Sequence, residues 1–169
     1  MAVNVSYGSE LRVLSNAQVI ITPTFTPITA TGGTINDVTV DNVAYRVHTF
    51  TSSGILTVTS AENNVAIIDY LVVAGGGGGG GRVTVAVPGG GGGAGGFLTA
   101  TLNLNIGSYV INVGGSGASN TNGGPSFIGF TPTAPYIVES TGGGYGGGTP
   151  SPSGSPGGSG GGTAGGAPG

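Results

Sequence analysis

The chain has 169 residues, 40 of them glycine, with three arginines, no lysine, six carboxylates and a net charge of -3. Three scattered arginines make no basic patch, which excludes a phosphate-backbone partner and so a nucleic acid. With no cysteine there is neither a disulfide framework nor a thiolate metal site.

Glycine is distributed unevenly. Only Gly8, Gly32, Gly33 and Gly54 precede Gly75. The first 74 residues therefore have ordinary β-rich composition, and the remainder is biased sequence. Charge this sparse is unusual for a free monomer and fits either a chain buried against copies of itself or partners, or a surface of solvated backbone and hydroxyls. No apolar stretch is long enough for a membrane-spanning helix, so no membrane insertion is expected. Val65–Ala74, the most apolar, is interrupted by Asp69. The N-terminus lacks the basic and apolar regions of a secretory signal.

Residues 1–34 read as an irregular β segment. Val3, Val5 and Tyr7 alternate with polar residues, and Gln18–Thr22 is a short apolar run. Pro23 and Pro27 confine any strand there to an edge. The clearest strands follow. Residues 43–50 and 55–59, separated by Ser52-Ser53-Gly54, predict a hairpin. Residues 65–74 are apolar throughout except Asp69 and read as a strand buried on both faces.

The first glycine run comprises Gly75, Gly76, Gly77, Gly78, Gly79, Gly80 and Gly81. After Arg82 and VTVAV comes a second, made of Gly89, Gly90, Gly91, Gly92, Gly93, Gly95 and Gly96, broken only by Ala94. Residues 97–106 alternate cleanly, with Leu98, Ala100, Leu102, Leu104 and Ile106 on one face. Residues 109–113, 126–130 and 136–139 are further strand candidates. From Gly142 the chain is Gly, Ser, Pro, Thr and Ala around Tyr145, and the pattern is still running at Gly169, which predicts a longer glycine-rich region. No window has helical periodicity with a cap. Many short, evenly spaced strands predict an all-β fold, a sandwich or jelly roll.

The two glycine runs read as struts rather than tethers, because strong strands fix their ends and they contain no serine. Glycine can adopt the extended polyproline-II conformation, rising ~3.1 Å per residue with about three residues per turn. Such a helix makes no internal hydrogen bonds. Its N–H and C=O groups point outward, and only glycine lets neighbouring backbones approach closely enough to pair. The terminal stretch 142–169 fits either a strut or a flexible linker.

Candidate chemistry is thin, and the chain reads as a structural or binding protein, not an enzyme. The strand-to-glycine junction at Asp69–Gly81 mimics a dinucleotide fingerprint. It lacks the helix and the acidic residue that such a site needs, so no cofactor is expected. His48 is the sole histidine and sits in a β run, so no Ser-His-Asp set and no metal site can be assembled around it. Asp69 lies among apolar residues, and a buried carboxylate needs a partner, with Arg46 and Arg82 the candidates. Phe127, Phe130, Tyr136 and Tyr145, set among glycines and prolines, are candidate surface contacts.

The stretch from Tyr45-Arg46-Val47-His48-Thr49-Phe50 through Asp69-Tyr70-Leu71-Val72-Val73-Ala74-Gly75 to Gly89–Gly96-Phe97, with Tyr109–Gly117 and Ser126–Gly129 after it, resembles the glycine-rich domain of bacteriophage virion proteins. That domain is common in tail fibres of phages of cyanobacteria and other aquatic bacteria. The likeness covers about residues 35–169 and leaves residues 1–34 outside it. It implies a jelly-roll-like β-sandwich at 35–141 carrying polyglycine-II helices, with 142–169 their continuation. It also implies a tail-fibre or tail-tip protein that contributes to host attachment. A capsid-decorating or cement protein, and a non-viral carbohydrate-binding module, are the alternatives. Residues 1–34 would dock other virion proteins, copies of the chain would associate (as a homotrimer in a fibre), and a host surface receptor would be the outer partner. The family carries no catalytic residues.

Overall fold

The computed structural model describes residues 9–13, 19–23, 28–81, 88–148 and 152–165. Strands account for nearly all of its regular structure. A hairpin of β1 (Ser9–Val13) and β2 (Val19–Pro23) comes first. Then follow β3 (Thr29–Thr31), β4 (Thr34–Val40), β5 (Val43–Thr49), β6 (Gly54–Ser60), a single 3-10 turn at Glu62–Asn64, β7 (Val65–Val73), β8 (Phe97–Asn105), β9 (Gly107–Asn112), β10 (Ser126–Gly129) and β11 (Val138–Ser140). Pro23 ends β2, which among the described strands pairs with β1 alone, consistent with a residue that cannot donate to a ladder. The alternation at Val3, Val5 and Tyr7 lies outside the described residues.

All pairings among the described strands are antiparallel, in a five-stranded sheet of order β11-β10-β9-β6-β3 and the pairs β1-β2, β4-β5 and β7-β8. The hairpin expected between residues 43–50 and 55–59 does not form. β5 pairs instead with β4, and β6 pairs with β9 and β3. The cause is a two-residue turn, Asp41-Asn42, whose φ values of 50° and 64° match the twist of an antiparallel hairpin. Asp and Asn tolerate this left-handed region better than other side-chain-bearing residues.

β7 is also not buried on both faces. Ala66, Ile68, Tyr70 and Val72 turn inward, while Ile67, Asp69, Leu71 and Val73 are exposed. β8 follows the expected alternation most closely toward its end, where Leu102 is half-buried and Leu104 is 1% exposed. Leu98 and Ile106 stay exposed.

One core joins the five-stranded sheet to the β7-β8 pair. Leu56 and Val58 of β6, Tyr109 and Ile111 of β9 and Ile128 of β10 meet Ala66 and Val72 of β7 and Leu104 of β8. This burial of apolar surface between two β layers is the main stabilising term. The β4-β5 hairpin lies outside that core. Val38, Val40, Val43, Tyr45 and Val47 are all exposed along one of its faces. At its base the Phe50 ring packs where backbone alone leaves room, with Gly32 and Gly33 at φ 111° and 65°.

Candidate functional site

The glycine-rich segments extend from the ends of strands. Residues 74–81 leave β7, 88–96 enter β8, 113–125 join β9 to β10, and 141–148 leave β11. Where β7 and β8 end at the pair Val73 and Phe97, their antiparallel pairing continues with a different period. The N–H groups of Ala74, Gly77 and Gly80 donate to the carbonyls of Gly96, Gly93 and Gly90 at 2.8–2.9 Å, so every third residue meets the same neighbour. A strand would return to one neighbour every second residue.

The intervening residues serve other neighbours with the same spacing. Gly75 and Gly78 donate to Gly124 and Thr121. Gly76 and Gly79 accept from Gly117 and Asn120, and Gly75 and Gly78 accept from Gly143 and Gly146. The segment 74–81 is thus surrounded by hydrogen-bonded backbone. The pattern spreads outward, with Gly90, Gly93 and Gly96 donating to Gly147, Gly144 and Thr141. Gly144 and Gly147 in turn donate to Ser159 and Gly162. Residues 142–148 and 152–165 therefore belong to the bundle rather than to a tether.

Glycine is required because the chains lie against one another's carbonyls. A Cβ on Gly77, Gly78 or Gly80 would fall on the carbonyl of Gly144, Ala118 or Gly147 respectively. At Gly91 the same atom would stand in open space. Pro88 and Ala94, the nearest residues with side chains, lie three positions to either side of Gly91, on the same face of a three-residue repeat.

Two asparagine side chains stand in for backbone carbonyls, as the Ser53 and Ser126 hydroxyls do for the N–H groups of Val113 and Gly114. Asn120 Oδ1 accepts from the N–H of Gly81, and Asn122 Oδ1 accepts from the N–H of Tyr145, both at 2.9 Å. Sequence reasoning passed over both. The available signal was a side-chain amide, chemically the same group as a peptide, recurring in a glycine-rich stretch.

The ion pair sought for Asp69 is a correction. Asp69 is exposed and accepts from Thr101 Oγ1 at 2.8 Å, because the β7-β8 register sets those residues opposite each other. Arg46 pairs across the β4-β5 hairpin with Asp37, through two hydrogen bonds at 2.8 and 3.0 Å. Arg82 lies outside the described residues. The Arg46 hydrogen bond, aided by its charge, holds the Asp37 carboxyl below its usual range and raises Arg46. A depressed folded value means that this contribution is present above the ordinary carboxylate range and is lost as pH falls through the folded value. Both groups are exposed, so the effect on stability is small. An NMR titration is expected to show Asp37 titrating below an ordinary aspartate, and moving back up in Arg46→Ala.

The four aromatic candidates fall into different environments. Phe127 is 6% exposed and stacks on Tyr136 with centroids 3.8 Å apart. Tyr145 is half-buried in the bundle. Only Phe130, 67% exposed, is presented outward. It leans on Tyr109 at 5.4 Å and opens the 130–136 loop, where Thr131 Oγ1 donates to the carbonyl of Thr133. His48 Nδ1 lies 2.8 Å from the Gly32 carbonyl, a structural tie at the hairpin base. Beside it, Thr34, Thr49, Phe50, Ser52 and Ser53 line a shallow cleft of about 260 Å³. No group of three or more metal-ligating side chains occurs among the described residues. No helix among them is long and apolar enough to cross a membrane.

Residues 51–169 match the family described as a glycine-rich domain. The chain belongs to that family. No curated protein and no solved structure matches it. The glycine-rich domain so defined takes in β6 to β11, the shared core and every segment of the bundle, and it begins just after the β4-β5 hairpin.

Proposed function

We propose that this chain is a structural protein of a bacteriophage particle, a tail-fibre or tail-tip component in which polyglycine-II helices stiffen a jelly-roll-like sandwich. The observation that carries this reading is the hydrogen-bond ladder at every third residue from Ala74 to Gly80, with neighbours on several sides. A three-residue repeat of outward-pointing backbone is what polyglycine II presents. Such a bundle supplies rigidity and almost no side-chain chemistry, which suits a durable assembled object. The likeness of Tyr45–Phe97 to phage glycine-rich domains and the sparse charge support the same reading.

On this reading residues 1–34 dock neighbouring virion proteins. The uncovered apolar face of the β4-β5 hairpin packs against other copies, as a homotrimer in a fibre, and the 130–136 loop faces the host. Gold-labelled antibody against the chain is expected to decorate tails, at a few dozen copies per particle or fewer. Hundreds of copies over the head would instead make it a capsid-decorating protein. Phe130→Ala is expected to reduce particle adsorption while costing no more than about 1.5 kcal/mol of stability, the worth of its ring contact with Tyr109. Unchanged adsorption would remove the loop from the contact surface.

A further inference from the structure

We propose that Asn122 is a modification site, a deamidating asparagine that the glycine bundle holds unreactive while it is folded. Asn122-Gly123 is the one Asn-Gly step in the sequence. In a mobile chain, the backbone nitrogen after an asparagine attacks the side-chain amide carbon, and a following glycine leaves that approach unobstructed. At this site the Gly123 nitrogen would give up its proton to hydroxide and bond to Asn122 Cγ. The bond from Cγ to the side-chain nitrogen Nδ2 would break as that nitrogen takes a proton from water, and ammonia would leave. Water would then open the five-membered imide at either carbonyl, yielding aspartate or isoaspartate. The step needs only water and base.

Both reacting groups are engaged. The Gly123 N–H donates to the Gly143 carbonyl at 2.9 Å. Asn122 Oδ1 accepts from the Tyr145 N–H at 2.9 Å. Nucleophile and electrophile are thus held by the same segment, in which Gly142, Gly143 and Gly144 are buried. Asn122 itself is exposed, so water and hydroxide reach it. Its protection comes from fixed geometry and not from exclusion of solvent. Each other asparagine of the chain precedes a residue with a side chain, which obstructs the attack.

The two products differ in what they do to the bundle. Aspartate keeps an oxygen for the Tyr145 N–H. Isoaspartate routes the main chain through the side-chain carbon and adds a backbone atom before Gly123. That shift takes Gly123 out of step with Gly143, and Gly124 out of step with Gly75, whose N–H donates to it. Departure of ammonia makes the loss of the asparagine irreversible, and a chain that carries isoaspartate does not rebuild the register.

The test incubates the full chain, folded and in guanidinium chloride, in the same mildly alkaline buffer. Peptide mapping that separates aspartate from isoaspartate then follows residue 122. Holding both groups by hydrogen bonds is expected to slow conversion in the folded chain by about thirtyfold or more. Equal rates in the two states would overturn the proposal. The second arm compares Asn122→Asp with the purified isoaspartate form by hydrogen exchange. Asn122→Asp is expected to keep amide protection at Tyr145 and Gly75, and the isoaspartate form to lose it. An isoaspartate form with full protection would show that the register tolerates the extra atom, and would sink the proposed loss of register.

Discussion

Gly78→Ala is expected to lower the midpoint of thermal unfolding by about 6–12 °C, while Gly91→Ala raises it by about 1–4 °C. The two substitutions add the same methyl group to the same kind of segment, so their opposite signs isolate the bundle geometry. At Gly78 the new Cβ would overlap the Ala118 carbonyl and crowd that of Gly117 at 2.9 Å. These are backbone atoms, fixed by the bonds from Gly117 to Gly76 and from Thr121 back to Ala118, and they cannot rotate aside as a side chain would. The cost therefore sits at the top of the range for overpacking, about 3 kcal/mol. At Gly91 nothing lies within 4 Å of the new atom. The residue is exposed and its φ is not in the left-handed region, so alanine fits without strain. There the substitution acts through the unfolded chain, which loses conformational freedom, and stabilises by about 0.4–1 kcal/mol. Scanning calorimetry on the two variants is the check. If the runs were slack tethers, both variants would melt with the parent, and equal midpoints would refute the bundle as a source of stability.

The strands were legible in the sequence to different depths, for physical reasons. β6 and β8 to β11 lie where short apolar or alternating runs put them. The partner of β5 was missed because its signal sits in two residues, Asp41 and Asn42, rather than in a periodic pattern. Once they adopt positive φ, residues 34–40 are committed to fold back on 43–49. β7 was misjudged because a run that is apolar except at Asp69 looks the same whether one face or both are covered. Its outer face, with Ile67 and Leu71 more than 60% exposed, shows that apolar composition alone does not imply burial. The same uncertainty misled the reading of Asp69, whose neighbours in sequence point to the opposite side of the strand. Backbone pairing of the first two glycine runs was readable because strong strands fix their ends and they carry no side chains to keep neighbouring backbones apart. The identity of their neighbours was not, since a run of identical residues carries no register. Register comes from the strand pairs at its ends and from interruptions such as Pro88, Ala94, Asn120 and Asn122.

Tyr109→Ala is expected to cost about 3–5 kcal/mol, the range for removing a large aromatic side chain from a core, and Tyr109→Phe about 0.5–1.5 kcal/mol. Tyr109 is 2% exposed and sits in β9 directly opposite Leu56 of β6. Its hydroxyl reaches out of that sheet to donate to the Asn105 carbonyl of β8 at 2.8 Å. Its ring meets Phe130 at an interplanar angle of 40°. One side chain therefore ties the five-stranded sheet to the β7-β8 pair and supports the 130–136 loop. Alanine removes the ring and leaves a cavity beside Leu104 and Ile111, members of the same core. Phenylalanine keeps the ring and removes only the tie to Asn105, so the difference between the variants separates packing from hydrogen bonding. Denaturant unfolding measures both costs. The loop adds a second readout, because Phe130 loses its support in Tyr109→Ala and keeps it in Tyr109→Phe. Faster hydrogen exchange at residues 130–136 in the alanine variant alone is the expected pattern. Equal exchange in both would mean that the loop is held by its own contacts, among them the Thr131 and Tyr136 hydroxyls on the carbonyls of Thr133 and Pro132.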